Sequence, residues 1–199
     1  MEKSLEELNP LRGKHLLLAS ASPRRRELLG ELNAEMRLAH VVEVDETYPT
    51  ELDPMEVPAF LSRKKAEAYK DSLAPHEVLV AADTVVLSDG KVLGKPHGKA
   101  GACAMLRELS GRWHKVVTGV TLATSERLVT FSEVTEVEFA PLTDDEIRFY
   151  VERYIPLDKA GAYGIQEWIG YIGVKGIRGD YYNVMGLPLH SLYRHLKSL

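Results

Sequence analysis

The sequence has one cysteine among its 199 residues, so an intrachain disulfide framework is excluded. Cys103 lies in a stretch rich in alanine and leucine, which favours a packed thiol over a nucleophile. No apolar run reaches the about 18 residues that cross a bilayer, and the start, MEKSLEELNP, lacks the apolar segment of a signal peptide. We therefore expect a cytoplasmic protein without a membrane partner.

Several motifs of nucleotide and metal chemistry are also missing. The sequence contains neither a Walker A pattern nor G-x-G-x-x-G, which disfavours an ordinary kinase or dinucleotide enzyme. Its seven histidines do not have the spacing of zinc ligands, and no order of serine, histidine and aspartate typical of a serine hydrolase stands out. A net charge of -4 argues against bulk binding of nucleic acid, which requires a basic surface. A local basic pocket for a small polyanion remains compatible with this composition.

The order of apolar runs and helix signals predicts an α/β protein with a mixed twisted sheet and flanking helices. We expect residues 1–12 to be an N-terminal extension and residues 13–199 to form a single domain. The predicted strands cover 16–19, 35–44, 78–82, 85–87, 91–93, 113–123, 128–139 and 171–177. One predicted helix begins at residue 23, and the others cover 54–73, 99–109, 144–154 and 188–199.

The segment HLLLASASPRRRELL, at 15–29, has the strand-to-helix order at which α/β proteins bind phosphate. Ser22 is a good N-cap and Pro23 fits the first helical position, which leaves backbone N–H groups free to meet an anion. Three arginines, Arg24 to Arg26, follow directly. The alternative interpretation is a capped surface helix whose arginines are solvated.

Charged or polar residues recur where predicted strands end. Ser20 and Arg24 follow the first strand, Glu46 follows the second and Asp83 follows the third. Ligands of open α/β sheets bind at that edge, and Mg²⁺ prefers one or two carboxylates together with phosphate oxygens. The pattern favours chemistry on a phosphate chain. Asp83 as an acceptor from a turn, and Glu46 as a solvated loop acid, remain alternatives.

Six motifs then carry a resemblance that covers 16–195. In order along the chain they are LASASPRRRELL, AADTVV, GKP, SGRWHKVVTGV, DKAGAYGIQ and GDYYNVMGLPL. Together they resemble the Maf family of nucleotide pyrophosphatases. The resemblance implies two lobes around a deep cleft, similar to the inosine triphosphate pyrophosphatases. It also implies hydrolysis of a nucleoside triphosphate to the monophosphate and pyrophosphate, assisted by a divalent cation, Mg²⁺ or Mn²⁺.

The resemblance also assigns roles to single residues. It makes Asp83 the proton acceptor, and Glu46 a metal ligand beside it. Lys65 and Lys95 match charged residues of the family's cleft. Lys65 borders the apolar face of its predicted helix, so the alternative to a cleft residue is a lysine whose aliphatic chain covers that face while its ammonium reaches water. Only the resemblance prefers Lys65 to Lys64. Ser20 and Arg25 match the opening loop that contacts phosphate.

In this family, the residues at three further positions distinguish branches that act on nucleotides with different bases. Arg24, Thr84 and Gln166 resemble the branch that acts on dTTP and UTP. An amide such as that of Gln166 offers a donor and an acceptor, which suits the edge of thymine or uracil. The sequence departs from many relatives at Glu167-Trp168, where they carry glycine. This tryptophan either narrows the base pocket or lies on a dimer surface.

Two other classes of function stay open at this point. The family was first named for inhibiting septum formation, so a nucleotide-binding regulator with secondary turnover is one alternative. A nucleic-acid-binding module that uses the arginine cluster is another, and the acidic net charge opposes it. A homodimer is neither indicated nor excluded by the residues.

Overall fold

The computed structural model describes residues 11, 13–32 and 34–199. Its strands are β1 (His15–Leu18), β2 (Met36–Leu38), β3 (Glu77–Ser88), β4 (Lys91–Leu93), β5 (Trp113–Ala123), β6 (Leu128–Phe139) and β7 (Val174–Arg178). Its α-helices are α1 (Pro23–Gly30), α2 (Val57–Glu67), α3 (Gly98–Leu109), α4 (Asp144–Tyr154), α5 (Trp168–Gly173), α6 (Tyr181–Met185) and α7 (Leu189–Leu196). Short 3₁₀ turns lie at Lys70–Ser72 and Ala160–Ala162. The predicted extension, 1–12, falls outside the described residues except for Leu11.

The strands form a mixed sheet in the order β2-β1-β3-β5-β6-β7, with β4 paired to β3. β1 runs parallel to both β2 and β3, whereas β4 and β7 pair antiparallel with β3 and β6. The predicted α/β class and mixed sheet are thus confirmed. Among the described residues, no helix combines the length and the apolar character needed to cross a bilayer.

The chain divides into two compact units. Of the described residues, the first unit comprises those up to Asp83 together with Thr118–Glu133 and Gly186–Leu199, and the second comprises Thr84–Val117 and Val134–Met185. In the first unit an apolar cluster forms around Ala66, Tyr69, Leu79 and Ala123. The core of the second unit joins α3, α4 and the inner faces of β5 and β6, and Cys103 packs against it. This half-buried cysteine is a free thiol, as predicted.

Local signals set the hairpin and one helix start as predicted. Thr124 opens the turn between β5 and β6: its N–H donates to Arg127 O at 2.9 Å, and its hydroxyl accepts from Arg127 N at 3.1 Å. At the start of α4, Thr143 Oγ1 accepts from Glu146 N while the Glu146 carboxylate accepts from Thr143 N. This reciprocal pair is a capping box, so it satisfies two N–H groups that the helix leaves unpaired.

Three predicted elements, the strand 35–44, the helix 54–73 and the strand 171–177, have clearly different bounds. β2 covers 36–38 rather than 35–44, because its partner β1 pairs only as far as Leu18↔Leu38. α2 begins at Val57, since Asp53 caps a separate turn by accepting from Met55 N at 2.9 Å. α2 also ends at Glu67 rather than 73, where a 3₁₀ turn follows. Residues 168–173 are helical, so the predicted strand 171–177 starts only at Val174.

A buried chain of hydroxyl groups joins α2 to the β5–β6 hairpin within the first unit. Ser62 Oγ donates to Ala59 O at 2.9 Å. The same oxygen lies 2.9 Å from Thr121 Oγ1, which in turn lies 2.9 Å from Thr130 Oγ1. Ser62 and Thr121 are fully buried, so each hydroxyl relies on its neighbour for hydrogen bonding.

A buried histidine in the core of the second unit makes stability depend on pH. His114 Nε2 lies 2.7 Å from Tyr163 Oη, and burial lowers the pKa of His114 to about 4. The unfolded chain binds this proton near the ordinary value of about 6.5, so stability is fully present above that pH and falls as pH drops toward 4. Lowering pH from about 7.5 to about 5 should cost about 2 kcal/mol through this residue.

Urea unfolding of the wild type and of His114→Gln at both pH values measures this contribution. Glutamine can still hydrogen-bond the Tyr163 hydroxyl but does not titrate. The variant should therefore lose about 2 kcal/mol less than the wild type over this interval. An identical pH dependence in both proteins would mean that His114 takes up its proton in the folded state as readily as in the unfolded chain.

Candidate active site in the first unit

The predicted site residues of the first unit lie near the point where β1 separates from β3. The two strands pair up to Leu18↔Val80, and Ala19 N still donates to Val80 O at 3.0 Å. β1 then gives way to the loop that starts α1, while β3 continues to Ser88. Asp83 and Thr84 are half-buried, whereas the residues on both sides of them in β3 are buried. Asp83 was predicted at the end of a strand and instead lies in the middle of one.

One ammonium group joins the two predicted carboxylates. Lys65 Nζ lies 2.6 Å from Asp83 Oδ1 and 2.9 Å from Glu46 Oε1. The side chains of Lys65 and Asp83 are only 16% and 15% exposed, whereas that of Glu46 is 54% exposed. Ion pairs in a partly dehydrated position are stronger than those in open water. The structure therefore brings Glu46, Lys65 and Asp83 into one site.

The neighbouring lysine has a different partner, which separates the two candidates on α2. Lys64 Nζ lies 3.4 Å from Asp45 Oδ2 and 3.2 Å from Thr47 O. These two acceptors belong to the exposed loop before α2. Lys65 reaches Asp83 because it lies one helical turn after the buried Leu61 and so points toward the sheet. Contact with Asp83 therefore singles out Lys65, as the sequence resemblance did.

Arg25 ties the opening loop to the strand that carries Asp83. Its Nε donates to Gly186 O at 2.8 Å, and one terminal nitrogen donates to Ala82 O at 2.8 Å and to Ser20 Oγ at 3.4 Å. Burial lowers the pKa of Arg25, and the negative charges of Asp83 and Glu46 oppose this shift. A guanidinium suits this position because its fork of donors can serve several carbonyl groups at once.

The opening loop has Ser22 at the N-cap position of α1 and Pro23 as the first helical residue, as predicted. The Ser22 side chain does not make a capping hydrogen bond, and Ser22 N instead donates to Ser20 Oγ at 3.2 Å. Arg24 is half-buried and Arg26 is exposed in the first turn of the helix. A cavity of about 570 Å³ opens beside this turn. It is lined by Ser20, Ser22, Pro23, Arg26, Glu27 and Met36, among others.

The other predicted site residues belong to the second unit. Thr84 directly follows Asp83 in β3, and Lys95 is exposed in the loop after β4. Gln166 lies in the loop before α5, and its carbonyl oxygen accepts from Tyr171 Oη at 2.8 Å. Its side-chain oxygen, Oε1, is buried and has no hydrogen-bond partner among the described residues. A buried acceptor of this kind is suited to receive a donor from a ligand.

Trp168 begins α5 and packs inside its own unit. Its ring lies 4.8 Å from that of Phe149 in an edge-to-face arrangement, and it contacts the core cluster of this unit. The neighbouring Glu167 accepts a hydrogen bond from the hydroxyl of Tyr150 and lies 3.2 Å from Lys159 Nζ. Sequence reasoning missed these two partners. A lysine inside the apolar, glycine-rich motif DKAGAYGIQ was the available signal.

Comparison with known proteins fits this architecture. The family model for Maf-like proteins matches residues 15–199. A dTTP/UTP pyrophosphatase of Bacteroides thetaiotaomicron is 53% identical over 184 residues, covering 92% of this chain and 95% of its own. Another, from Porphyromonas gingivalis, is 50% identical and covers 96% of both chains. A third, from Cytophaga hutchinsonii, is 44% identical and covers 96% of this chain and 87% of its own. The chain belongs to the Maf-like protein family.

Solved structures of more distant proteins share the fold. The Ham1 protein of Staphylococcus aureus superposes with a TM-score of 0.52 at 16% identity, covering 93% of this chain and 99% of that one. A HAM1 protein of Coxiella burnetii gives a TM-score of 0.50 at 19% identity, covering 94% of this chain and all of that one (100%). At such low identity the likeness concerns the architecture alone.

Proposed function

We propose that this protein hydrolyses dTTP and UTP to the nucleoside monophosphate and pyrophosphate. The observation that carries the proposal is the Lys65 ammonium between the carboxylates of Glu46 and Asp83. Membership of the Maf-like family and three relatives named dTTP/UTP pyrophosphatase, at 44%, 50% and 53% identity, support the substrate class. A single enzymatic domain over 13–199, working in the cytoplasm on free nucleotides, is part of this proposal.

Asp83 is the proposed proton acceptor. Its carboxylate takes a proton from the water that attacks the α-phosphorus, and the bond from that phosphorus to the oxygen bridging to the β-phosphorus breaks. Pyrophosphate then leaves with the electron pair of that bond. Lys65 holds the Asp83 side chain in one orientation through the 2.6 Å contact, which fixes the acceptor oxygen relative to the attacking water.

Glu46 and Asp83 fit the needs of a divalent cation. Mg²⁺ and Mn²⁺ prefer carboxylate oxygens, and Mg²⁺ commonly takes one or two of these with the remaining ligands from water and phosphate. The two side chains already meet at one positive charge, so the site accommodates a cation with few protein ligands. Among the described residues, no group of three or more histidine, cysteine or acidic residues is placed to hold a metal ion, and the proposed pair likewise supplies two protein ligands. A bound cation would neutralise charge on the phosphate oxygens during the reaction.

The remaining residues are proposed to bind substrate. Ser20, Arg25 and the N–H groups of the first turn of α1 contact the phosphates, with Lys95 neutralising further charge. Arg24, Thr84 and Gln166 select the base. Uracil and thymine offer a ring N–H and a carbonyl oxygen, which match the acceptor and donor of the Gln166 amide. Cytosine presents the reverse pattern, so an amide held in one orientation would leave polar groups unpaired.

A panel of common and modified nucleoside triphosphates tests this function. With Mg²⁺ or Mn²⁺ present, dTTP and UTP should react at least about tenfold faster than CTP and the purine nucleotides, and chelation should stop the reaction. The products should be monophosphate and pyrophosphate, identified by chromatography. Release of orthophosphate with a diphosphate would contradict attack at the α-phosphorus. Tight binding without turnover would instead support a nucleotide-binding regulator.

A further inference from the structure

The turn that carries Gln166 is closed by its own backbone. Glu167 N donates to Gly164 O at 3.0 Å, so Gln166 occupies the third position of a four-residue turn. After the turn, Gly170 N donates to Glu167 O at 2.9 Å, which starts α5. The Gln166 Oε1 atom is buried without a hydrogen-bond partner among the described residues. Since an unpaired buried acceptor is unfavourable, the surrounding structure must hold it in place.

The side chain of Glu167 links this turn to two other elements of the second unit. One carboxylate oxygen accepts from the hydroxyl of Tyr150 on α4, and the other lies 3.2 Å from Lys159 Nζ. Lys159 is only 7% exposed, and its ammonium also lies 2.9 Å from Asp158 Oδ1. A buried ammonium requires such negative partners, so the pair with Glu167 is constrained by its surroundings.

The same carboxylate packs against the backbone at the start of the turn. Gly164 N donates to the Tyr150 hydroxyl at 3.0 Å, so Tyr150 joins both ends of the turn. A Cβ atom at Gly164 would lie 2.8 Å from Glu167 Cδ, which no ordinary contact permits. The start of the turn therefore packs closely against the carboxylate, and the hydrogen bonds of Tyr150 and the ion pair with Lys159 tie both ends of the turn to the Lys159–Glu167–Tyr150 network.

We propose that Glu167 is a positioning residue for base selection, acting through Gln166. The Lys159–Glu167–Tyr150 network sets the place of the 164–167 turn and hence of the amide that receives the ring N–H of uracil or thymine. This inference rests on the proposed function. It assigns to Glu167, the departure from glycine in many relatives, a role in discriminating uracil from cytosine rather than in the chemical step.

The ratio of kcat/KM for UTP to that for CTP tests this role. Glu167→Gln keeps an acceptor for Tyr150 but removes the charge opposite Lys159, and Tyr150→Phe removes the bridging hydroxyl. Each variant should lower the ratio about tenfold. The loss should appear as a higher KM for UTP, with kcat within about twofold of wild type. The matched control is Glu152→Gln, an exposed glutamate on α4 that pairs with Lys99 at 2.6 Å, and its ratio should not change.

A second variant separates positioning from stability. Glu167→Gln leaves the Lys159 ammonium with less compensation, so its Tm should fall, and the double variant with Lys159→Met should recover that loss. The UTP/CTP ratio should stay low in the double variant. Equal losses for both nucleotides, or a ratio restored together with Tm, would overturn the positioning role. If the wild type itself does not prefer UTP, the proposed function fails first.

Discussion

Replacing Asp83 with asparagine should lower the rate of pyrophosphate release from dTTP by about a thousandfold. Asparagine has nearly the same shape and can still accept from Lys65 Nζ, which lies 2.6 Å from Asp83 Oδ1. Its amide cannot take a proton from water at neutral pH, and it is a weaker ligand for a divalent cation. Steady-state kinetics with pyrophosphate detection measures the loss.

Folding and charge are controlled separately in this experiment. The circular dichroism spectrum of Asp83→Asn should match that of the wild type, since Lys65 keeps Glu46 as a partner at 2.9 Å. Asp71→Asn removes the same charge from an exposed position in the first unit and should retain full activity. Substantial turnover by Asp83→Asn would exclude this residue as the proton acceptor, whatever the outcome for nucleotide preference.

The second large effect is expected at Gly119, on β5. A Cβ atom there would lie 2.2 Å from both Pro58 C and Ala59 N, at the start of α2. Backbone atoms cannot turn aside as a side chain can, so Gly119→Ala should push this helix away from the sheet. The free energy of unfolding should fall by about 3 kcal/mol, measured by urea denaturation.

Activity of the same variant reports on the position of Lys65. This residue lies in the last turn of α2, so a displaced helix carries its ammonium away from Asp83. Gly30→Ala is the matched control, because a Cβ at the end of α1 meets nothing within 4 Å. That change should be neutral or stabilising by up to about 1 kcal/mol. Equal stability of both alanine variants would mean that α2 can approach the sheet differently.

The bounds of helices and strands could be predicted from the sequence where the hydrogen bonds that fix them lie within a few residues. The Thr143 capping box and the Thr124 turn are each complete within a few residues, and both elements have the predicted bounds. The predicted bounds were wrong where pairing with another element, or a turn that precedes the helix, determines them. β2 stops where β1 stops, a fact that the valines at 41, 42 and 44 cannot reveal. Asp53 has every mark of a helix N-cap, yet it caps a turn that precedes α2.

The kinds of residues in the candidate site could be predicted from the sequence, but their mutual contacts only in part. Acidic residues after predicted strands indicated that Glu46 and Asp83 would share a site, although Asp83 lies within β3 and Glu46 lies eight residues beyond the end of β2, in the loop before α2. The Lys65 bridge depends on the rotation of α2 about its axis, which helical periodicity defines too coarsely to separate Lys64 from Lys65. The partners of Arg25 are carbonyl oxygens of Ala82 and Gly186, and backbone atoms carry no sequence signature.

The hydroxyl groups between α2 and the hairpin have a direction. Ser62 has one proton and gives it to Ala59 O, so its oxygen must receive the proton of Thr121. Thr121 must then receive that of Thr130. The three protons thus follow a single order from hairpin to helix, with all O–H dipoles aligned. Because the Ala59 carbonyl can only accept, it fixes this order from the helix end, and the helix that carries Lys65 is hydrogen-bonded to the hairpin with one defined set of donors and acceptors.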